Sequence, residues 1–193
     1  LKNNILAHEG EGQLEVLRVG RPLVYYLGQE EHPDDYQILI DRFIKSLNIS
    51  KDDGLLLVGH GGLGSGNSSY GNLQFKLIRE GLTNVRIAVL ENAPYVADVA
   101  MPWEWLDGKR PNTIYVHPLL LVLGDHAQND LFGDEEDSVI NELADYGYEV
   151  KPIHSALGEY EAIQDIFRQH VQDCIDDLYG KRSSHRPTIP NIK

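Results

Sequence analysis

The sequence is poor in cysteine, in basic residues and in long hydrophobic runs, and each shortage excludes a class of protein. Its 193 residues include one cysteine, so neither an intrachain disulfide framework nor a cysteine-based zinc cluster can form. Lys and Arg total 17 against 30 Asp and Glu, and the net charge of -13 without a basic stripe argues against nucleic acid. No apolar run approaches the roughly 18 residues that span a bilayer, so we expect no membrane partner.

The N-terminal segment "LKNNILAHEGEG" lacks the apolar core of a signal peptide, and we expect a cytoplasmic protein. The sequence does not begin with Met, which indicates a fragment or a processed chain. Its length suits one domain with a sizeable core. We place this domain at residues 1–180. We treat residues 181–193 as a polar C-terminal tail, because they carry two prolines and no periodicity.

Apolar patterns typical of strands and of helices alternate along the chain. Strands with short apolar runs are predicted at 54–59, 84–91, within 112–125 and within 148–157. Helices are predicted at 33–48, 67–80, 133–147 and 159–180. An earlier stretch, 14–26, is rich in β-branched and aromatic residues and is predicted to be extended. The alternation predicts an α/β fold with a parallel sheet of about four strands and helices on both faces.

The segment "GLLLVGHGGLGSGNSSY" (54–70) places His60 between glycines, directly after a predicted buried strand. It is not a P-loop, because no Gly-Lys-Ser/Thr follows, and Ser65 lacks the flanking glycines of a nucleophile elbow. "GHGGLG" does match the dinucleotide fingerprint, with Glu91 at the end of the next strand as the ribose-binding acid. A dinucleotide-dependent α/β enzyme is therefore an open alternative, although the His60 imidazole would crowd the turn that a pyrophosphate must approach.

Three residues that can bind a metal follow three successive predicted strands: His60, Glu91 and His126. Ligands of parallel α/β sheets bind outside the carboxyl ends of the strands, so we expect these side chains to converge there. Two imidazoles and one carboxylate suit Fe(II), Co(II) or Ni(II) with coordination positions left open. Each residue alone could be a local capping or solvated group, but their equivalent positions favour a single metal site.

Several longer stretches carry a resemblance that covers about residues 14–180. They read "VLRVGRPLVY", "VGHGGLGSGNSSYGNLQ", "VLENAPYVADV", "VHPLLLVLGDHAQNDLFGDEEDS" and "LGEYEAIQDIF". They resemble the anaerobic-type sirohydrochlorin cobaltochelatases of the class II tetrapyrrole chelatase superfamily, which insert Co(II) into a tetrapyrrole in cobalamin synthesis. The resemblance implies a chelatase fold and a lyase that holds the metal with His60, Glu91 and His126, the two histidines being catalytic.

The resemblance also implies what the protein binds. The substrate ion is expected to be Co(II), with Fe(II) or Ni(II) as alternatives, and no organic cofactor is implied. The expected partner is a sirohydrochlorin-type tetrapyrrole. Such chelatases have two similar α/β halves with the macrocycle between them, and this chain resembles mainly the second half. We therefore expect either that a first half is missing from this sequence or that another chain, as in a homo-oligomer, supplies it.

The glycine loop departs from the family pattern Gly-His-Gly-Thr-x-His-x-Ala-Asn. Gly62 replaces the Thr and Gly64 replaces the second His, while Asn67 remains. We expect Gly61, Gly62, Gly64, Ser65 and Asn67 to contact the substrate, because a glycine-rich loop lets a flat macrocycle approach the backbone. The loss of polar side chains leaves a second alternative open, namely a tetrapyrrole or metal carrier without turnover.

Other residues are secondary candidates or structural groups. The cations that could meet the carboxylates of the substrate are Arg18, Arg21 and Arg86. His117 is predicted to pack within the third strand or to bond a backbone group, and His154 could face the site from the end of the fourth strand. His170 is predicted to be solvated, and Cys174 is predicted to be a buried structural thiol.

Overall fold

The computed structural model describes residues 18–101, 103 and 108–178, and it leaves the side chains at positions 64, 65 and 126 undescribed. Within these residues four strands form one parallel sheet. They are β1 (Gly54–Gly61), β2 (Val85–Glu91), β3 (Thr113–Pro118) and β4 (Glu149–Pro152). Their order across the sheet is β2-β1-β3-β4. The predicted parallel α/β sheet of about four strands is confirmed.

In the described part of the chain, six α-helices accompany the sheet. They are α1 (Asp35–Arg42), α2 (Ser68–Arg79), α3 (Val96–Ala100), α4 (Asp125–Phe132), α5 (Val139–Asp145) and α6 (Glu161–Ile175). Helices α1, α2 and α6 pack on one face of the sheet, and α3, α4 and α5 pack on the other. None of the helices described is long and apolar enough to cross a membrane.

Strand β1 is apolar throughout because it is covered on both sides. Leu55 and Leu57 belong to the core on one face, and Leu56 and Val58 belong to the core on the other. All four side chains are buried. Alternate residues of a strand point to opposite faces, so a central strand between two helical layers needs apolar side chains at every position.

The predicted third strand is too long, because strand pairing ends at Pro118. The apolar run that follows forms a loop, and three of its leucines pack against different cores. Leu119 packs into one core, and Leu120 and Leu123 pack into the other. The carbonyl of Leu120 accepts a hydrogen bond from the amide of Leu157 (2.8 Å). A continuous apolar run can therefore continue beyond a strand into a loop that is only partly buried.

Other predicted bounds also differ from the structure. The acidic run 134–137 precedes α5 instead of forming its first turn, and the last helix ends at Ile175. Residues 18–26 form no strand, and one isolated bridge between Leu27 and Asp34 lies near them. Residues 14–17 and the predicted tail at 181–193 lie outside the described residues.

Buried charges hold the segment that precedes α1 against the rest of the domain. Arg21 donates through Nε to Asp35 Oδ1 (3.1 Å) and through a terminal nitrogen to Asp173 of α6 (2.5 Å). The Asp35 carboxylate also accepts from the amide of Tyr26 (2.9 Å). The Arg21 and Asp35 side chains are 7% and 0% exposed. Because burying an ion pair requires complete pairing, this cluster fixes where the segment lies.

Two predictions about α6 are wrong, in opposite directions. His170 is only 3% exposed, and its Nε2 lies 3.7 Å from Asp35 Oδ1, so it is a buried part of the charge cluster. Cys174 was predicted to be buried but is partly exposed. Helical periodicity identifies the apolar face of α6, but it does not reveal a polar cluster formed with a distant segment.

Candidate metal centre

His60 and Glu91 are neighbours at the carboxyl edge of the sheet. Burial along β1 is complete from Gly54 to Gly59 and ends at His60. The strand register pairs Gly61 with Glu91, so the ends of β1 and β2 lie side by side. His60 Nδ1 is 3.9 Å from Glu91 Oε2, and their side chains are 58% and 60% exposed. Both groups are therefore accessible to an ion from solvent.

The backbone after His60 adopts a conformation that requires glycine. Gly61 has φ +80°, and a Cβ at this position would lie 2.0 Å from the carbonyl oxygen of Glu91. Its amide donates to the hydroxyl of Tyr70 (3.3 Å), and the Asn92 side chain donates to the Gly62 carbonyl (3.1 Å). The loop is thus held against the end of β2, and this close approach keeps His60 beside Glu91.

Replacing Gly61 with alanine is expected to destabilise the fold by at least about 1–3 kcal/mol, because the residue would be strained and would collide with the Glu91 backbone. The same change should weaken Co(II) binding by displacing His60 from Glu91. Gly62→Ala is the matched control, because a Cβ there meets nothing within 4 Å. Urea denaturation and calorimetric Co(II) titration measure the two effects. Equal stability and equal Co(II) affinity of the two variants would contradict this role of Gly61.

His126 does not end a strand, contrary to the pattern used to select it. It is the second residue of α4, which follows β3 after a loop of six residues, 119–124. Strand β3 pairs with β1, so α4 begins after the strand next to His60. The His126 side chain lies outside the described part of the structure. Among the described residues, no three His, Cys, Asp or Glu side chains form a cluster able to hold a metal.

The rest of the glycine loop turns directly into α2. Residues 64–67 form one 3-10 turn before the helix, and the side chain of Ser65 is not described. A Cβ at Gly62 or at Gly66 would meet open space. The Asn67 side chain donates to the carbonyl of Ala93 (3.0 Å), so it ties the loop to the turn after β2. Contact of these residues with a substrate stays a prediction.

The three arginines proposed for the rim all have structural partners. Arg18 donates to the last carbonyls of α6, those of Cys174 (2.9 Å) and Ile175 (3.0 Å). Arg21 belongs to the buried charge cluster described above. Arg86 is 5% exposed, donates to the Trp103 carbonyl (2.8 Å) and lies 5.2 Å from the centre of its ring. The prediction that these cations face a substrate finds no support in their contacts.

The two histidines considered as secondary candidates have different surroundings. His117 is fully buried, bonds the carbonyl of Pro118 (2.7 Å) and lies 2.9 Å from the hydroxyl of Tyr160. Burial lowers the pKa of His117, which favours the neutral imidazole, so the prediction of a packing role agrees with the structure. His154 is exposed after β4 and lines an open cleft beside α6.

Asn92 and Tyr70 are the positioning residues that sequence reasoning missed. Asn92 has φ +67° and follows Glu91 immediately, so its side chain can reach back to the glycine loop. Asparagine tolerates this left-handed conformation better than most residues. The Asn in "LENAP" could therefore have indicated a tight turn directly after the strand. Tyr70 packs where a Cβ of Gly59 would stand, a contact between strand and helix that no local pattern reveals.

The fold and the exposed His60–Glu91 pair define a parallel α/β protein with a candidate metal site at the carboxyl edge of its sheet. Comparison with protein families matches residues 7–176 to the family described as "Cobalt chelatase (CbiK)". The chain therefore belongs to the cobalt chelatase (CbiK) family, and the predicted family is confirmed.

Two known proteins illustrate the relationship. The chain is 26% identical over 160 residues to the sirohydrochlorin cobaltochelatase of Salmonella typhimurium (strain LT2). That alignment covers 83% of this chain and 57% of the relative, so the chain spans little more than half of that protein's length. A solved structure described as a cobalamin (vitamin B12) biosynthesis CbiX protein from Marinobacter aquaeolei VT8 has a TM-score of 0.50 at 17% identity. The match covers 65% of this chain and 98% of the solved chain, and it supports the fold.

Proposed function

We propose that this chain is the metal-handling α/β half of a sirohydrochlorin cobaltochelatase, which inserts Co(II) into sirohydrochlorin in cobalamin biosynthesis. The observation that carries the proposal is the exposed His60–Glu91 pair, with 3.9 Å between Nδ1 and Oε2 at the carboxyl edge of the sheet. Membership of the cobalt chelatase family supports it, and so does the activity named for the Salmonella relative.

The proposed roles follow from what insertion requires. The ion must lose part of its hydration shell, and the macrocycle must lose two pyrrole N–H protons. His60, Glu91 and His126 would hold the Co(II) substrate and leave coordination positions open toward the macrocycle. An imidazole that does not hold the ion at that moment can accept a pyrrole proton, and both histidines are candidates for this role.

The preference for Co(II) is part of the proposal. Imidazole and carboxylate ligands also bind Fe(II) and Ni(II), so ligand type alone does not separate the three ions. The glycine loop supports a flat substrate, because a side chain at Gly62 or Gly66 would occupy space that is open in the structure. The opposite wall of the site would come from a first α/β half or from a second copy of this chain.

An absorbance assay with sirohydrochlorin and Co(II) tests this function. The purified chain should convert the spectrum of free sirohydrochlorin to that of the cobalt complex over many turnovers. Glu91→Gln should slow the conversion by about tenfold or more, because the amide keeps the size but loses the charge that holds the ion. Glu149→Gln is the matched control, since Glu149 is exposed on β4 and pairs with Lys151.

The other outcomes decide between the remaining alternatives. A stoichiometric spectral change without turnover would contradict catalysis by this chain and favour a carrier. Thermal stabilisation by NAD(P) combined with none by Co(II) would contradict the metal site and favour the dinucleotide interpretation of "GHGGLG".

A further inference from the structure

An open cleft of about 980 Å³ lies between α6 and the segments that follow β3 and β4. Its walls are the loop 121–123, the segment 154–159 and one side of α6. Gln128 also lines the cleft from α4, the helix that carries His126 two residues earlier. The cleft has the size of a small-molecule site and lies at the edge where parallel sheets bind their ligands.

The cleft combines an apolar wall with a polar border. Leu121, Val122 and Val171 line it although they are 50%, 75% and 60% exposed to solvent. His154 and Arg168 line the same cleft and bring imidazole and guanidinium groups to it. Such a surface suits the edge of a flat apolar ring that carries anionic side chains, because the edge of the ring covers leucine and valine side chains while the anionic groups meet the cation.

Strand spacing relates this cleft to the metal centre. Strand β4 is separated from β1 by β3, so the two strands lie about 10 Å apart laterally at the usual spacing between strands. The register places Pro152, the end of β4, level with Leu56, so His60 lies further toward the carboxyl edge and the segment after β4 continues in its direction. A macrocycle centred on an ion at His60 and Glu91 would extend across the end of β3. Its side chains would then project toward the cleft between β3, β4 and α6.

We infer that this cleft binds one rim of the tetrapyrrole, with Arg168 and His154 recognising its carboxylates. The inference rests on the proposed chelatase function and names two specificity residues for it. Arg168 is suited to the task because its side chain is 63% exposed and its partners, Asp165 and Gln164, lie on the same helix. An exposed pair of this kind is weak and can be exchanged for a substrate carboxylate.

The contacts of Glu159 and His154 in the structure agree with this assignment. Among the described residues that line the cleft, Glu159 carries the carboxylate, but its Oε1 accepts a hydrogen bond from the amide of Ala156 (2.6 Å) and caps the turn at Leu157–Glu159. Its charge is therefore partly satisfied by backbone. The ring of His154 packs on Phe132 with 4.5 Å between centroids, which orients the imidazole at the border of the cleft.

The test is a titration of the chain with metal-free sirohydrochlorin, followed by quenching of the ligand's fluorescence. Arg168→Glu should weaken binding by about tenfold to a hundredfold, because a charge-assisted hydrogen bond is replaced by repulsion. Arg168→Lys should retain part of the affinity, since the positive charge remains. Arg79→Glu makes the same charge change on α2, outside the cleft, and should bind like the wild-type chain.

A second ligand separates carboxylate recognition from general loss of affinity. Uroporphyrin should lose affinity from Arg168→Glu, whereas its octamethyl ester, which has the same ring but no ionised carboxylate, should not. Circular dichroism verifies that each variant is folded. Calorimetric Co(II) binding to Arg168→Glu should equal that of the wild-type chain, because Arg168 is absent from the metal centre.

The outcomes distinguish this inference from the proposed function. If the wild-type chain binds and metallates sirohydrochlorin while Arg168→Glu and Arg79→Glu bind it equally well, the cleft assignment is overturned and the chelatase proposal stands. If the wild-type chain binds no sirohydrochlorin, the proposed function fails, and this inference fails with it. Equal losses for uroporphyrin and its octamethyl ester would also overturn recognition of carboxylates by Arg168.

Discussion

Replacing His60 with alanine is expected to lower the rate of Co(II) insertion into sirohydrochlorin by at least about a hundredfold, the size of effect expected when a metal ligand or proton acceptor is lost. The fold should change little, because the imidazole is 58% exposed and makes few packing contacts. His126→Ala should have the same effect if both imidazoles hold one ion. Insertion is measured by absorbance, and folding is measured by thermal unfolding.

The control for these variants is His32→Ala, which removes an imidazole that packs on Tyr26 before α1. It should leave insertion unchanged. Double replacement of His60 and His126 should add little to either single loss, because residues that act as one unit are not additive. Full activity of His60→Ala would refute the metal centre, whereas activity lost in His60→Ala and retained in His126→Ala would remove His126 from it.

The fold could be predicted because its core depends on local periodicity. Strands β1 and β2 are short apolar runs bounded by polar residues, and the structure places them within two residues of the predicted bounds. The third strand was overestimated because the loop after Pro118 is as apolar as the strand. That loop contributes Leu119 to one core and Leu120 to the other, a division that depends on both helical layers.

The site was partly predictable for a topological reason. A residue that follows a parallel strand must emerge at the carboxyl edge of the sheet, so the chain order alone brings His60 and Glu91 together. The choice of rim arginines failed because a side chain's partners depend on distant segments. Arg21 meets Asp173, 152 residues later, and Arg86 meets the Trp103 carbonyl. No pattern in "VLRVGRPLVY" indicates those partners.

The buried cluster around Arg21 has its own consequence for stability. Asp35→Ala is expected to lower the free energy of unfolding by about 3 kcal/mol, because the Arg21 Nε–H and the Tyr26 amide lose their buried acceptor while Arg21 keeps its bond to Asp173. Asp41→Ala on the same helix is the control. Asp41 pairs with Lys45 at 2.6 Å, but their side chains are 50% and 41% exposed, so the loss should stay within about 1 kcal/mol.

The effect of pH on unfolding tests the same cluster without a large change in packing. Burial alone would raise the pKa of Asp35, but its contact with His170, the Tyr26 amide and Arg21 together hold the pKa below the usual value. A depressed pKa in the folded state contributes stability that is present above the unfolded pKa, about 3.9, and is lost as the pH falls through the folded value. The difference in urea stability between the wild-type chain and Asp35→Ala should therefore be constant near neutral pH and shrink below about pH 4. A difference that stayed the same down to pH 2 would show that Asp35 stabilises the fold by packing alone and not by its charge.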